Sequence, residues 1–144
     1  MTSTGMFWPM LAMAALTALA WVVMGRRRQA AVKARELSLA SFSGTTDVAM
    51  TPAVSVSTRH FANHFEIPLL FHVVSLAHLA MQVDGWLPQI MAWLFVLLRA
   101  LHMREHLGPN RIMRRFQWFA ASTLLVWLLW LLWLHLAVAL LLQG

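Results

Sequence analysis

Four long apolar segments constrain this chain more than any other feature. They cover residues 6–24, 59–83, 87–107 and 116–142, and the second becomes continuously apolar from about Ile67. A helix of 19 residues, the length of the first segment, is about 28 Å long, close to the thickness of a bilayer's hydrocarbon core. Backbone amides in lipid must be satisfied within the protein, so helices suit such segments. We therefore predict an all-α integral membrane protein, a four-transmembrane-helix bundle that forms one domain over residues 1–144.

The composition agrees with a membrane protein and excludes several kinds of chemistry. Of the 144 residues, 60% are hydrophobic and 11% are charged, which is too apolar for a soluble domain of this length. The chain has no cysteine, which excludes disulfides, thiolate metal ligands and a cysteine nucleophile. Its formal charge of +6 would suggest nucleic-acid binding in a soluble protein. Here the placement of the charges explains it, and we expect no nucleic-acid partner.

The basic residues predict the orientation of the chain in the membrane. The eleven Lys and Arg occupy positions 26, 27, 28, 33, 35, 59, 99, 104, 111, 114 and 115. They fall in or beside the two stretches that join spans one to two and three to four, whereas the turn Asp84–Trp86 carries one acid and no base. The positive-inside rule then puts the two basic loops in the cytoplasm and both termini on the non-cytoplasmic side. The basic cluster Arg26–Arg28 follows the first apolar run, which favours a retained anchor over a cleaved signal.

A polar stripe begins the second span. Arg59, Asn63 and Glu66 share one face of a helix at about 100° per residue. Ionisable groups that enter hydrocarbon are costly, so they usually face a protein interior or a wet cavity. An Arg fork, a Glu carboxylate and an Asn amide suit a small zwitterionic ligand. The alternative is an interfacial helix start, with Arg59 among lipid headgroups and Glu66 paired with a basic residue of another helix.

A second polar stripe lies at a similar depth on the third span. It consists of Arg99, His102 and His106, and the two stripes together predict a polar site between helices. The alternative for Arg99 is a side chain that extends along the helix to reach water at the cytoplasmic end.

The basic loop that follows, residues 111–115, lies at the same face as both stripes. It can contact anionic lipid headgroups, or one of its Arg side chains can stabilise a thiolate. Because the chain has no cysteine, that thiol must belong to a ligand. A free thiol with a pKa of about 8.5 is only about 3% ionised at pH 7, and lowering its pKa by about 2 units requires about 2.7 kcal/mol.

The histidines raise an alternative. His60 and His64, and His102 and His106, are i, i+4 pairs, a spacing that can place two imidazoles on one metal. Glu66 is the one acid that we expect near them, and the sequence has no haem-attachment motif. We therefore expect no metal, and a metal- or haem-binding helical bundle is the alternative.

Two motifs in the second and third spans resemble those of a known family. One is Arg59-x-x-x-Asn63-x-x-Glu66, followed by Pro68, and the other runs from Leu94–His102 into Leu107–Arg115. The chain resembles the MAPEG family, membrane-associated proteins in eicosanoid and glutathione metabolism, and is most similar to its bacterial, microsomal glutathione transferase-like branch. The resemblance implies a homotrimer of four-helix subunits that binds glutathione between neighbouring subunits near the cytoplasmic face.

The resemblance also implies roles for individual residues. Arg115 would stabilise the thiolate of glutathione, and one residue among Arg26–Arg28, left open here, would also contribute. The residues implied to hold glutathione are Arg59, Asn63, Glu66, Arg99, His102, His106 and Arg111. The chain departs from several relatives in having no Tyr, which removes phenols that touch glutathione there.

The implied function is that of a membrane-embedded glutathione transferase or peroxidase in a bacterial inner membrane. Glutathione would be a co-substrate whose thiolate attacks a lipophilic electrophile or lipid hydroperoxide. Some members of the family bind lipids without catalysis, so the fold does not establish an enzyme. The alternative is a non-catalytic member that binds lipid or serves as an accessory subunit of a larger membrane complex.

Overall fold

The computed structural model describes residues 5–44, 49–82 and 85–143, and these residues form five α-helices and two short 3₁₀ turns. The α-helices are α1 (Phe7–Lys33), α2 (Pro52–Ala62), α3 (Ile67–Ala80), α4 (Trp86–Leu107) and α5 (Ile112–Gln143). The 3₁₀ turns are Leu39–Phe42, between α1 and α2, and Asn63–Phe65, between α2 and α3.

Three of the helices are long and apolar enough to cross a membrane. They are α1, α4 and residues Ile112–Leu142 of α5. The prediction of an all-helical, multi-pass membrane protein is therefore confirmed. Helix α3 has 14 residues, or about 21 Å at the usual helical rise, so a fourth crossing stays a prediction. Val83 and Asp84, where the second span was predicted to end and turn, lie outside the described residues.

The second predicted span is divided, in contrast to the single regular helix that the polar-stripe argument assumed. Helix α2 ends at Ala62, a 3₁₀ turn follows, and Glu66 has φ −102° and ψ −104° before α3 begins. Pro68 favours the break, because it has no N–H to donate to the carbonyl of His64 and proline is well tolerated in the first turn of a helix, where it lies in α3. The break leaves the Asn63 carbonyl free to accept a hydrogen bond from another helix.

The apolar core lies among α1, α3, α4 and α5. Helix α5 packs along α4 and α3, and α1 packs against α2, α3 and α4. At the centre the rings of Phe71 and Phe95 stack with their centroids 4.4 Å apart and their planes 15° from parallel. The buried residues around this pair are Met6, Met13, Val74, Ala92, Val96, Val126 and Leu129. Along α4 the first buried polar residue, Arg99, follows Phe95 by about one helical turn, so the core ends where the polar site begins.

Arg27 ties the C-terminal part of α1 to two other helices. Its Nη2 donates a 2.6 Å hydrogen bond to the carbonyl of Leu107, and its Nη1 donates a 3.3 Å bond to the carbonyl of Ala53. Helix α1 continues to Lys33, beyond the predicted end of the first apolar segment at Met24, and this continuation carries Arg27. The connection that follows, predicted as a cytoplasmic loop, contains the Leu39–Phe42 turn and the start of α2.

Substitution Phe71→Ala should destabilise the bundle, because it removes one ring of the central stack and leaves a cavity. We expect a loss of about 2–4 kcal/mol in the free energy of unfolding, measured by denaturant titration in mixed micelles. Leu69→Ala on the same helix is the matched control, since Leu69 is 54% exposed and loses few packing contacts. Equal losses for the two variants would contradict the assignment of Phe71 to the core.

Candidate functional site

A cavity of about 540 Å³ opens where the α2–α3 junction, the end of α4 and the start of α5 meet. We call it the main cavity. Its walls are formed by Arg59, Ala62, Asn63, Glu66, His102, His106, Ile112, Arg115, Phe116 and Phe119. Six of the eight residues singled out from the sequence are in this set. The structure thus brings the two polar stripes and the basic loop to one place.

Arg99 lies behind the lining of the cavity and is 1% exposed. Its Nη2 donates a 3.3 Å hydrogen bond to the Asn63 carbonyl, and its guanidinium carbon sits 5.7 Å from the centre of the Phe119 ring. Its Nε and Nη1 have no hydrogen-bond partner in the part of the chain that the structure describes. The alternative in which Arg99 extends to water is therefore wrong. A buried cation with two unpaired donors is unfavourable unless an acceptor is supplied.

Glu66 supplies part of the compensation for this buried charge. It lies close enough to attract the Arg99 guanidinium electrostatically. Glu66 and Arg99 do not form a direct ion pair. Among the described residues the direct ion pair is between Arg111 and Glu105, whose Nε and Oε1 atoms are 3.1 Å apart. Glu66 thus faces the main cavity without a direct partner for its carboxylate among the described side chains, and it remains available to a ligand.

A tight turn after α4 positions Arg115. A Cβ atom on Gly108 would lie 2.8 Å from the Arg104 carbonyl oxygen, so this turn requires glycine. Asn110 has φ +52°, a conformation that Asn tolerates better than most residues, and its N–H donates to the carbonyl of Glu105 at 2.7 Å. The Asn110 side-chain oxygen then accepts a 2.8 Å hydrogen bond from Arg115 Nη1. The turn therefore holds the Arg115 guanidinium at the cavity wall.

Arg111, expected from the resemblance to contact glutathione, does not line the main cavity. Its backbone N–H and its Nε both donate to Oε1 of Glu105 at 3.1 Å. It lines a smaller cavity of about 140 Å³ on another side of the α4–α5 turn, together with Arg104, Arg114 and Trp118. Sequence reasoning missed Glu105 as its partner. The sequence signal for this pair was the presence of one acid, Glu105, within the basic segment 104–115.

Four histidines pack together beside the cavity and form what we call the histidine cluster: His60, His64, His102 and His106. The Nδ1 atoms of His60 and His106 are 3.2 Å apart, and the Nε2 atoms of His60 and His64 are 3.3 Å apart. The ring centroids of His60 and His102 are 5.5 Å apart. All four side chains are buried. The two i, i+4 pairs seen in the sequence therefore belong to one group, to which α2, the 3₁₀ turn after it and α4 all contribute.

Helix α5 contributes an apolar wall that sequence reasoning did not identify. Ile112, Arg115, Phe116 and Phe119 all line the main cavity. Their spacing of i, i+3, i+4 and i+7 puts them on one helix face, and this spacing was the signal available in the sequence. Ile112 and Phe116 are 74% and 62% exposed. The cavity therefore combines charged groups on one side with an open apolar surface on the other.

The basic residues at the end of α1 make different contacts in the structure. Arg27 reaches the last carbonyl of α4, and Arg28 Nη2 donates a 3.3 Å hydrogen bond to Thr58 Oγ1. Neither lines the main cavity. Of the residues that the sequence left open, Arg27 comes nearest to a role at the site, because it fixes the end of the helix that carries His102 and His106.

This arrangement suits an amphiphilic ligand with separated charges. Arg59 and Arg115 can bind anionic groups, Glu66 can bind an ammonium, and Asn63 can pair with an amide. The phenyl rings and Ile112 can hold an apolar molecule next to those groups.

The comparisons with known proteins agree with the motifs. The family model described as MAPEG family matches residues 6–135. Neither the curated proteins nor the solved structures give a match to this chain. The family match extends over most of the chain, from α1 into α5, and includes the residues that form the main cavity. The chain therefore belongs to the MAPEG family.

Proposed function

We propose that this protein is a membrane-embedded glutathione transferase or peroxidase that binds glutathione in the main cavity. The observation that carries the proposal is the convergence of Arg59, Asn63, Glu66 and Arg115 on one cavity, with the unsatisfied Arg99 behind it. Family membership supports a role in glutathione or eicosanoid metabolism in general. The charges at the cavity favour glutathione, which has two carboxylates, an ammonium, two amides and a thiol.

Each charged group of glutathione has a matching residue in this proposal. Arg59 binds a carboxylate with its forked guanidinium, Glu66 binds the ammonium, and Asn63 pairs with a peptide amide. The Arg99 guanidinium, buried behind the lining, adds electrostatic attraction for the anionic groups of the ligand. A cavity of about 540 Å³ is within the range of roughly 300–1,000 Å³ that is usual for small-molecule sites. The neighbouring subunit of a trimer would close the open side.

Arg115 is proposed to stabilise the thiolate of bound glutathione. At pH 7 a free thiol is mostly protonated, so one well-placed guanidinium that lowers its pKa by about 2 units makes the nucleophile predominant. In the transferase reaction the thiolate sulfur forms a bond to an electrophilic carbon, and the leaving group departs with the bonding electrons. In the peroxidase reaction it attacks the O–O bond, releases an alcohol, and a second glutathione converts the resulting sulfenic acid to disulfide and water.

The apolar wall supports a lipophilic second substrate. Ile112, Phe116 and Phe119 line the cavity on α5, and the first two are largely exposed. A molecule dissolved in the bilayer could reach this wall without passing through water. The proposed second substrates are therefore lipophilic electrophiles or lipid hydroperoxides.

The proposed setting is a homotrimer in a bacterial inner membrane, with four spans and both termini outside. The placement of the basic residues supports this orientation, and the family resemblance supports the trimer. The basic ends of α1, α4 and α5 would lie at the cytoplasmic surface, where glutathione and anionic lipid headgroups are available.

Arg115→Ala should lower the rate of conjugation far more than it lowers binding. We expect kcat/KM for a chlorinated nitrobenzene to fall about 10- to 100-fold, and the pH profile to move towards that of a free thiol, because the thiolate loses its stabilising charge. Kinetics in detergent micelles, with calorimetric titration of glutathione, would measure both effects. Arg114→Ala is the matched control, since Arg114 is exposed and lies outside the main cavity.

Equal rates for the native protein and both variants would remove the proposed role of Arg115. No heat on addition of glutathione, combined with stable co-purification of other membrane subunits, would instead identify a non-catalytic, accessory member of the family.

Glu66→Gln should abolish recognition of the glutathione ammonium. We expect the native protein to bind glutathione about tenfold more tightly than glutaryl-cysteinyl-glycine, which lacks only the amino group, because the charged pair is lost. The Glu66→Gln variant should bind the two peptides equally, and Glu36→Gln, at an exposed acid far along the chain from the cavity, should keep the native preference. Competition titrations would measure these ratios, and an unchanged ratio in Glu66→Gln would contradict the assignment.

The orientation can be tested with introduced cysteines, because the chain has none. Trp86→Cys and Leu39→Cys place single thiols at positions that are 74% and 79% exposed. A membrane-impermeant maleimide added to intact cells should label the first variant and should label the second only after the cells are opened. The reverse pattern would invert the proposed topology.

A further inference from the structure

Three imidazoles of the histidine cluster converge from two helices. His60 comes from α2, and His102 and His106 come from α4. One ring nitrogen from each lies within 4.8 Å of the other two, and no more than 4% of any of these residues is exposed. The Nδ1 atoms of His60 and His106 are 3.2 Å apart. Two nitrogens bound tetrahedrally to zinc at about 2.0–2.1 Å lie about 3.4 Å apart, so this pair already has the required separation.

A chain of hydrogen bonds orients His60 for such a role. His64 Nδ1 is 2.9 Å from Thr17 Oγ1, and Thr17 Oγ1 donates to the carbonyl of Met13 at 3.1 Å. With that hydroxyl proton committed, His64 Nδ1 is the donor to Thr17, and its Nε2 is left to accept from His60 Nε2–H at 3.3 Å. His60 Nδ1 then carries a lone pair that points towards His106. Metal-binding histidines commonly have their other nitrogen fixed by such a partner.

His102 supplies a third nitrogen that lacks a partner. Its Nδ1 is buried and makes no hydrogen bond within the described part of the chain, and its side chain is 2% exposed. Buried polar atoms in folded proteins are nearly always paired. If His60 and His106 bind an ion, His102 is close enough to become the third ligand after its imidazole ring rotates.

We propose that His60, His102 and His106 bind a divalent transition-metal ion, with zinc as the ion that suits them best. Neutral imidazole is a preferred ligand of zinc, and three protein ligands leave a fourth position open. His102 and His106 also line the main cavity, so the open position faces a molecule bound there. The expectation of no metal considered each i, i+4 pair separately, whereas the structure provides three ligands from two helices. This site does not depend on the glutathione proposal.

The surrounding charges set the expected strength of binding. Arg99 and Arg115 act electrostatically on His102 and His106, Arg27 and Arg59 act on His106, and all four oppose a dication. We therefore expect a dissociation constant in about the micromolar range, weaker than that of a structural zinc site.

Zinc titration of the chelator-treated, detergent-purified protein in the absence of glutathione tests the proposal. We expect one zinc per chain and, with cobalt as a probe, visible absorption bands of a tetrahedral complex. His60→Gln and His106→Gln should each weaken zinc binding at least about 30-fold, because each removes one of three ligands. His135→Gln is the matched control, since His135 is exposed on α5 and should leave zinc binding unchanged.

Two outcomes would overturn the site. One is equal zinc affinity in the native protein, His60→Gln and His135→Gln, and the other is no binding to the native protein at micromolar zinc. If a variant fails to fold by circular dichroism, X-ray absorption of zinc in the native protein decides, with three imidazole nitrogens expected and an all-oxygen shell as the contrary result. Glutathione titration in the presence of a chelator separates the proposals, because Arg59, Asn63, Glu66 and Arg115 are not ligands of the proposed ion and can bind glutathione without it.

Discussion

The buried guanidinium of Arg99 is the charge around which the polar end of this bundle is arranged. A cation removed from water costs several kcal/mol unless other groups compensate it. Here the compensation is partial. The Asn63 carbonyl, the face of Phe119 and the field of Glu66 act on the guanidinium, while two of its nitrogens have no hydrogen-bond partner among the described residues. The cavity in front of Arg99 is where the remaining compensation can come from, and in our proposal glutathione provides it.

The break in the second predicted span makes this arrangement possible. An uninterrupted helix would use the Asn63 carbonyl for its own backbone hydrogen bond. Pro68 has no N–H to donate to the His64 carbonyl and fits the first turn of a new helix, so α3 begins after Glu66, which has left helical geometry. The Asn63 carbonyl is then available to Arg99. Pro68, which has no ionisable side chain, thus helps to determine where the charged residues meet.

The two proposals share part of one surface. His102 and His106 line the main cavity and also belong to the proposed metal site. A ligand in the cavity and an ion on the imidazoles would therefore influence each other's affinity, and any such influence is reciprocal by linkage. The α4–α5 turn affects both, since Gly108 and Asn110 hold Arg115 at the cavity wall, where it favours an anionic ligand and opposes a metal ion.

The sequence by itself determined the fold class, because apolar segments of spanning length leave helices as the means of satisfying the backbone in lipid. It also identified Arg59, Asn63, Glu66, His102 and His106, since polar stripes in such segments are costly enough to signal a site, and the basic loop with the family resemblance identified Arg115. Only the tertiary structure decided that Arg99 is buried, that Arg111 pairs with Glu105, and that His60 joins His102 and His106. Those outcomes depend on how α2, α4 and α5 approach one another, and spacing along a single helix carries no information about the distance to another.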